Sequence, residues 1–128
     1  MIKRTKERIK KTAEVFTPPE LTNEILDQFP NEVWEENKTF LDPAAGDGNI
    51  LVEIIKRKMK NNHNPYKALE TTFGIDLMED NVIRCRERVI EAAGLSANDP
   101  KATEIVQERI VQGNTLEVNI KELFRDFL

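Results

Sequence analysis

Acidic side chains and glycines that follow short apolar segments are the residues best suited to chemistry in this sequence. Asp42 and Asp47 bracket a turn that also holds Gly46 and Gly48. Glycines in such a turn let the backbone bend tightly and let a ligand approach it without meeting a Cβ atom. The two carboxylates would repel a phosphate, but they could accept hydrogen bonds from an ammonium group. A dinucleotide-binding turn would instead need a third glycine where Leu51 stands.

A further carboxylate, Asp76, ends the next apolar segment. It suits a vicinal ribose diol, because a carboxylate only accepts hydrogen bonds and can take both hydroxyl protons. One acid for an amine and another for a ribose favour S-adenosylmethionine over a nicotinamide dinucleotide. Two other interpretations stay open. Asp42 and Asp47 could be turn and cap residues only, or the three aspartates could bind a metal ion, although no His or Glu is spaced to complete the coordination shell.

The elements that must position these residues alternate between strand and helix. Hydrophobic patterns predict strands at 39–41, 71–76 and 109–111. They predict helices at 18–29, 50–60, 79–93, 98–107 and 120–127, and a helical turn at 32–37. This alternation predicts an α/β, Rossmann-like, three-layer fold with a short, mainly parallel sheet. The turns at 42–49, 76–79 and 113–115 should then meet beyond the carboxyl ends of the strands.

Four segments carry a resemblance to a known family. They are Phe16-Thr17-Pro18-Pro19-Glu20-Leu21, Asp42-Pro43-Ala44-Ala45-Gly46-Asp47-Gly48, Gly74-Ile75-Asp76-Leu77 and Gly113-Asn114-Thr115-Leu116. Together they resemble the N-terminal part of S-adenosylmethionine-dependent DNA adenine-N6 methyltransferases of restriction-modification systems, over residues 15–116. The glycine turn is typical of methyltransferases in general, whereas the Phe-Thr-Pro-Pro segment before it is typical of the DNA adenine subgroup.

This resemblance implies a set of cofactor-binding residues. Those implied to line the pocket are Phe16, Thr17 and Pro18, and those implied to surround the methionine end are Asp42, Ala44 and Gly46. Asp76 would hold the ribose, and Leu77 would lie against the adenine. Asn114 stands where the family usually has an aspartate that accepts from the adenine amino group, and an amide can still accept through its oxygen.

The family's segment for the target base, Asn/Asp-Pro-Pro-Tyr/Phe, has no counterpart at its usual place after a fourth strand. The sequence ends at Leu128, before such a strand. Asn64-Pro65-Tyr66 imitates the segment, but it precedes the second strand and is predicted to be a loop turn at the opposite end of the sheet. We therefore expect no catalytic residues here, and no methyl transfer by the chain alone.

Two alternatives to this function remain. The chain could be a small methyltransferase of another substrate class, although the Phe-Thr-Pro-Pro segment disfavours it. It could also be a non-catalytic, truncated regulator or decoy that binds the cofactor or a host methyltransferase subunit. In the family the fourth strand pairs with the first, so residues 39–41 would form an open apolar edge. We expect a protein partner or self-association through this edge, near Phe40.

The charge is unevenly distributed along the 128 residues, a length that predicts a single domain. Residues 1–11 carry a local charge of +5, and the rest of the chain sums to −9 within a net charge of −4. We expect a basic N-terminal arm or helix over residues 1–14 and a cofactor-binding domain over residues 15–128. The acidic domain would contact DNA only indirectly or through that arm. No apolar run is long enough for a membrane span or signal peptide, so a cytoplasmic location is expected.

The remaining reactive side chains are expected to be inert. Cys85 is the only cysteine, so no disulfide or multi-cysteine metal site can form within one chain. It lies in a predicted helix between two arginines, whose side chains point away from it. His63 lies in a polar loop rich in asparagine and is predicted to be a surface residue.

Overall fold

Three short parallel strands lie at the centre of the fold in the computed structural model, which describes residues 18–128. The strands are β1 (Phe40–Asp42), β2 (Thr72–Asp76) and β3 (Ile110–Gln112), and they pair in the order β1-β2-β3. Asp42 is opposite Gly74, and Asp76 is opposite Gln112. The carboxyl ends of all three strands therefore lie at the same end of the sheet. The α/β prediction is confirmed, and the arrangement is compatible with a Rossmann-like fold.

Helices connect and flank the strands. They are α1 (Pro19–Asp27), α2 (Asn49–Lys60), α3 (Pro65–Glu70), α4 (Glu79–Ala92), α5 (Pro100–Arg109) and α6 (Ile120–Leu123), with 3-10 turns at Asn31–Trp34 and Arg125–Phe127. The first helix begins one residue later than predicted, because Pro18 keeps an extended backbone and acts as its N-cap. Among residues 18–128, no helix is both long enough and apolar enough to cross a membrane.

The two faces of β2 bury different side chains, as the alternation of a strand requires. Phe73 and Ile75 pack with Phe124, whose ring meets that of Phe73 edge-on at 4.8 Å between centroids. The other face, at Gly74, lies against Leu51 of α2. Phe124 follows α6 in a C-terminal segment that breaks into two short turns, so the single helix predicted for 120–127 is wrong.

The segment Asn64-Pro65-Tyr66 begins α3 and is not the predicted loop turn. The Asn64 side chain caps this helix by accepting from the backbone N–H groups of Tyr66 and Lys67 at 3.0 and 3.3 Å. Pro65 occupies the first helical position, which needs no N–H donor. Because α3 leads into the amino end of β2, the segment lies at the opposite end of that strand from Asp76. The helix was missed because six residues are too few to show a helical period.

His63 is buried, with 5% of its surface exposed, so its prediction as a surface residue is wrong. Its backbone N–H donates to the Lys58 carbonyl at 3.2 Å, which folds the loop back over the end of α2. The ring Nε2 lies 2.6 Å from the Trp34 carbonyl oxygen. The polar composition of the loop did not predict this contact, because the contact joins residues that are 29 positions apart in the sequence.

The apolar residues of α1 and the turn after it are only partly buried. Leu26 is 2% exposed and joins the core, whereas Leu21, Ile25 and Phe29 are 47%, 44% and 39% exposed. An ion pair also attaches α1 to α2, because Arg57 lies 2.6 Å from the Asp27 carboxylate. The predicted basic arm at 1–14 lies outside the described residues.

Candidate functional site

The turn after β1 lies directly beside the end of β2. The Gly46 N–H donates to Oδ1 of Asp76 at 3.0 Å, and the Ala45 N–H donates to the Ile75 carbonyl at 2.9 Å. The turn after β3 joins them, because the Thr115 hydroxyl donates to the carbonyl of Pro43. The three strand-to-helix turns therefore meet at the carboxyl ends of the strands, as the alternation of elements predicted.

Asp42 has one satisfied carboxylate oxygen and one that is not. Oδ1 accepts from the Ala44 N–H at 3.0 Å, whereas Oδ2 is buried without a hydrogen-bond partner among the described residues. Burial raises the pKa of Asp42, the hydrogen bond from Ala44 opposes this, and the nearby charge of Asp76 raises the pKa further. An unsatisfied buried acceptor costs about 1–3 kcal/mol. A donor such as an ammonium group would relieve that cost, so the position suits a cationic amine.

Asp76 is held in one orientation by the protein itself. Besides the contact from Gly46, its Oδ2 accepts from the Met78 N–H at 3.0 Å and from the side-chain amide of Asn81 at 2.9 Å. A carboxylate oxygen has two acceptor positions. Oδ2 therefore has none left and Oδ1 has one, which can receive one hydroxyl of a diol.

The two glycines of the turn have different surroundings. Both have positive φ, +57° at Gly46 and +101° at Gly48, which other residues rarely adopt. Among residues 18–128, nothing lies within 4 Å of a Cβ atom placed on Gly46, so its backbone is open toward that side. A Cβ atom on Gly48 would lie 2.9 Å from the Sγ of Cys85. A ligand can therefore approach the main chain at Gly46, whereas Gly48 is needed for packing.

Asp47 is not available as the second ammonium acceptor proposed from the sequence. It is 4% exposed, and its Oδ1 lies 3.2 Å from the Arg88 guanidinium, in ion-pair range although not aligned for a hydrogen bond. Arg88 also donates to the Asp47 carbonyl at 3.0 Å and to Oδ1 of Asn49 at 2.8 Å. A buried carboxylate needs a compensating charge, and here a protein side chain supplies it.

Three of the other predicted cofactor-binding residues adjoin this centre: Ala44 donates to Asp42, Leu77 follows Asp76, and Asn114 precedes Thr115, which contacts Pro43. Ala44 and Pro18 are exposed, and Leu77 is 48% exposed at the end of β2. Asn114 is half-buried, and its side-chain oxygen accepts from the Leu116 N–H at 3.0 Å. That contact leaves the oxygen one further acceptor position. Phe16 and Thr17 lie outside the described residues.

Sequence reasoning missed Asn81 and Arg88, which hold Asp76 and the glycine turn from α4. Asn81 is fully buried, although it lies among residues whose helical spacing predicts an apolar face. A polar residue at a buried position of an amphipathic helix was the available signal, since such a group needs a hydrogen-bond partner.

A comparison of sequences finds a relative among the methyltransferases. Over 84 residues the chain is 30% identical to the type II methyltransferase M.VspI of Vibrio sp. (strain 343). Over this segment the chain is methyltransferase-like. The alignment covers 66% of this chain and 18% of that protein, so the chain matches less than a fifth of its relative's length. No family model matches the sequence, and no solved structure matches the fold.

A methyltransferase relative points to S-adenosylmethionine as the cofactor, and the site has features that suit this molecule. The unpartnered oxygen of Asp42 suits its ammonium group. The open backbone at Gly46 lets a ligand approach, and the free acceptor position of Asp76 suits a ribose hydroxyl. Among residues 18–128 there is no cluster of three or more His, Cys, Asp or Glu side chains that could hold a metal ion.

Proposed function

We propose that this chain is the S-adenosylmethionine-binding portion of a DNA adenine-N6 methyltransferase. The observation that supports it best is the buried Oδ2 of Asp42, which has no hydrogen-bond partner among residues 18–128 and belongs to the same turn as the open backbone of Gly46. When bound, the cofactor supplies a methyl group on a positively charged sulfur atom. The chain's own residues bind and orient that molecule, with the ammonium group at Asp42 and one ribose hydroxyl at Asp76.

The proposed cofactor contacts extend beyond these two carboxylates. They are Phe16, Thr17, Pro18, Asp42, Ala44, Gly46, Asp76, Leu77 and Asn114. The exposed side chain of Leu77 follows Asp76 directly, which suits contact with a base attached to the ribose. Asn114 would accept from the amino group of that base through its remaining acceptor position.

Adenine-N6 specificity is the finer part of the proposal. The Phe-Thr-Pro-Pro segment supports it, whereas the type II methyltransferase relative supports only the methyltransferase class. The 128 residues contain no Asn/Asp-Pro-Pro-Tyr/Phe segment, so we propose that the base-binding half comes from another polypeptide segment. The free edge of β1 is where such a segment would pair, because β1 pairs only with β2 among the described strands.

Calorimetric titration of the full chain tests the cofactor site. S-adenosylmethionine and its demethylated product, S-adenosylhomocysteine, should both bind. Asp42→Asn keeps the shape of the side chain and removes its charge, so it should weaken both ligands at least about tenfold. Asp76→Ala should weaken both as well. The control is Asp126→Asn, since that side chain is 81% exposed and remote from β1 and β2 in sequence.

The titrations test the cofactor site and the role of Asp42 separately. Absence of heat with either ligand would remove the cofactor proposal, and equal losses in Asp42→Asn and Asp126→Asn would remove the role of Asp42. A labelled-methyl assay on DNA with the same preparation should show no transfer. Methyl transfer by the chain alone would contradict the proposal that another segment is needed.

A further inference from the structure

One face of α4 contacts both parts of the site that the proposed function needs. Asn81, Cys85 and Arg88 follow each other at helical spacing and so lie on the same side of this helix. We propose that this face positions the two ends of the cofactor separately, with Asn81 acting on the ribose end and Arg88 on the methionine end. The proposal rests on the proposed function, and it names residues that the family resemblance did not.

Asn81 acts on Asp76. Its amide donates to Oδ2 of Asp76 at 2.9 Å, and the Met78 N–H reaches the same oxygen at 3.0 Å. These two donors fix the rotation of the carboxylate, so that Oδ1 remains at the Gly46 N–H. Without Asn81 the carboxylate loses one of its three donors, and its free acceptor position is no longer held in one direction.

Cys85 sets how close α4 comes to the turn. Its Sγ lies under Gly48, where even a methyl group would come within 2.9 Å. The side chain is fully buried, and burial raises the pKa of its thiol to about 12. Cys85 is therefore a small neutral packing residue at the centre of the face, with Asn81 one turn before it and Arg88 about one turn after it.

Arg88 acts on the glycine turn. Its guanidinium donates to the carbonyl of Asp47 and to the side chain of Asn49, and it pairs with the Asp47 carboxylate. These contacts fix the residues on both sides of Gly48, at the place where the turn becomes α2. The turn carries Gly46 and begins at Asp42, so a loosened turn would displace the groups proposed for the methionine end.

Two ligands that differ only at the methionine end distinguish the role of Arg88 from that of Asn81. 5′-Methylthioadenosine keeps the nucleoside of S-adenosylmethionine and lacks the amino-acid group. Arg88→Met should weaken binding of S-adenosylhomocysteine about tenfold and change binding of 5′-methylthioadenosine less than about threefold. Asn81→Leu should weaken both ligands by similar factors, because both contain the ribose. It should change binding of the 2′,3′-dideoxy analogue of 5′-methylthioadenosine less than about threefold, because that analogue has no diol, and an equal loss for the analogue would overturn the role of Asn81.

The measurement is calorimetric titration of the full chain, at a temperature where circular dichroism shows each variant folded. Arg84→Met is the matched control, since Arg84 is on the same helix with 37% of its side chain exposed, and its ion pair is with Glu87. Its ratio of affinities for the two ligands should equal that of the unmodified chain. Arg88→Lys, which keeps the charge and loses the planar donors, should give an intermediate ratio and serves if Arg88→Met does not fold.

A merely structural role for Arg88 would lower both affinities together. Equal losses for the two ligands in Arg88→Met, or the same change in Arg84→Met, would overturn this proposal while leaving the cofactor site in place. Failure of the unmodified chain to bind either ligand would overturn the proposed function, and this inference with it.

Discussion

Lys58 is a buried cation held by neutral groups. It is fully buried, and among the described residues no carboxylate lies within ion-pair distance of it. Its Nζ lies 2.7 Å from the hydroxyls of both Thr71 and Thr72, and 4.9 Å from the centre of the Phe40 ring. The Thr72 hydroxyl donates its proton to Ala68, so its lone pairs face the ammonium group. These contacts join α2 to the amino ends of β1 and β2.

Burial without a counter-charge predicts a pH-dependent stability. Burial lowers the pKa of Lys58 to about 7, whereas an unfolded chain has a lysine pKa of about 10.4. Below pH 7 both states carry the proton, so Lys58 contributes no slope. Above pH 7 the unfolded state binds more protons, so the free energy of unfolding should rise by up to about 1.4 kcal/mol per pH unit.

Urea unfolding at about pH 6.0, 7.0 and 7.8 measures this slope below the pKa of an unfolded cysteine, which is about 8.5. Lys58→Met should flatten it. Lys56→Met is the control, because Lys56 is on the same helix with 55% of its side chain exposed. Parallel pH profiles for the unmodified chain and Lys58→Met would contradict the prediction.

At the scale of elements, the connection from β1 to α2 uses its two glycines for different purposes. Gly46 gives access to the backbone, and Gly48 lets α4 approach through Cys85. Gly94, which follows α4, also has positive φ, +78°, and no atom of residues 18–128 lies within 4 Å of the place where its Cβ would be. It is therefore a matched position for the cost of backbone strain alone.

Alanine substitutions at these three glycines should distinguish the cost of backbone strain, the cost of the contact with Cys85 and the effect on cofactor binding. Gly94→Ala and Gly46→Ala should each lower the free energy of unfolding by about 1–2 kcal/mol, the cost of a left-handed alanine. Gly48→Ala should cost about 1–3 kcal/mol more, because its methyl group meets Cys85. Gly46→Ala should also lose cofactor binding, which Gly94→Ala should retain.

Urea unfolding and calorimetric titration of the three variants provide the measurements. Equal destabilisation by Gly46→Ala and Gly48→Ala would show that Cys85 yields without cost. Unchanged cofactor affinity in Gly46→Ala would place the ligand elsewhere than on this backbone.

At the scale of the whole molecule, the sheet has a free edge at β1. Among the described strands β1 pairs only with β2, and Leu41 within it is 38% exposed. An edge strand leaves backbone N–H and C=O groups able to pair with another chain. A partner or a second copy at this edge therefore remains our proposal, whether the chain is part of an enzyme or a regulator.

Sedimentation velocity of the full chain over a micromolar concentration series should show self-association that grows with concentration. Leu41→Lys should suppress it, because a charge on an edge strand opposes pairing. Ile83→Lys is the control, since Ile83 is 47% exposed and belongs to α4, not to a strand of the sheet. A monodisperse monomer at every concentration would contradict self-association through β1.

The sequence by itself determined the order of strands and helices, the glycine turn, and the meeting of that turn with Asp76. These features follow from local patterns: apolar periodicity marks the elements, and parallel strands bring their carboxyl ends to one edge. The short helix α3 was not predicted, because its six residues are too few to show a helical period.

Only the tertiary structure decided which polar groups are free to bind a ligand. Asp42 and Asp47 are both acidic residues of the same turn, yet Asp47 forms an ion pair with Arg88, whereas Oδ2 of Asp42 has neither an ion-pair nor a hydrogen-bond partner among the described residues. The burial of His63 and the contact of Asn81 with Asp76 were decided in the same way. Each depends on which elements pack together, and that packing is the sum of many weak contacts between residues distant in the chain, which no local pattern records.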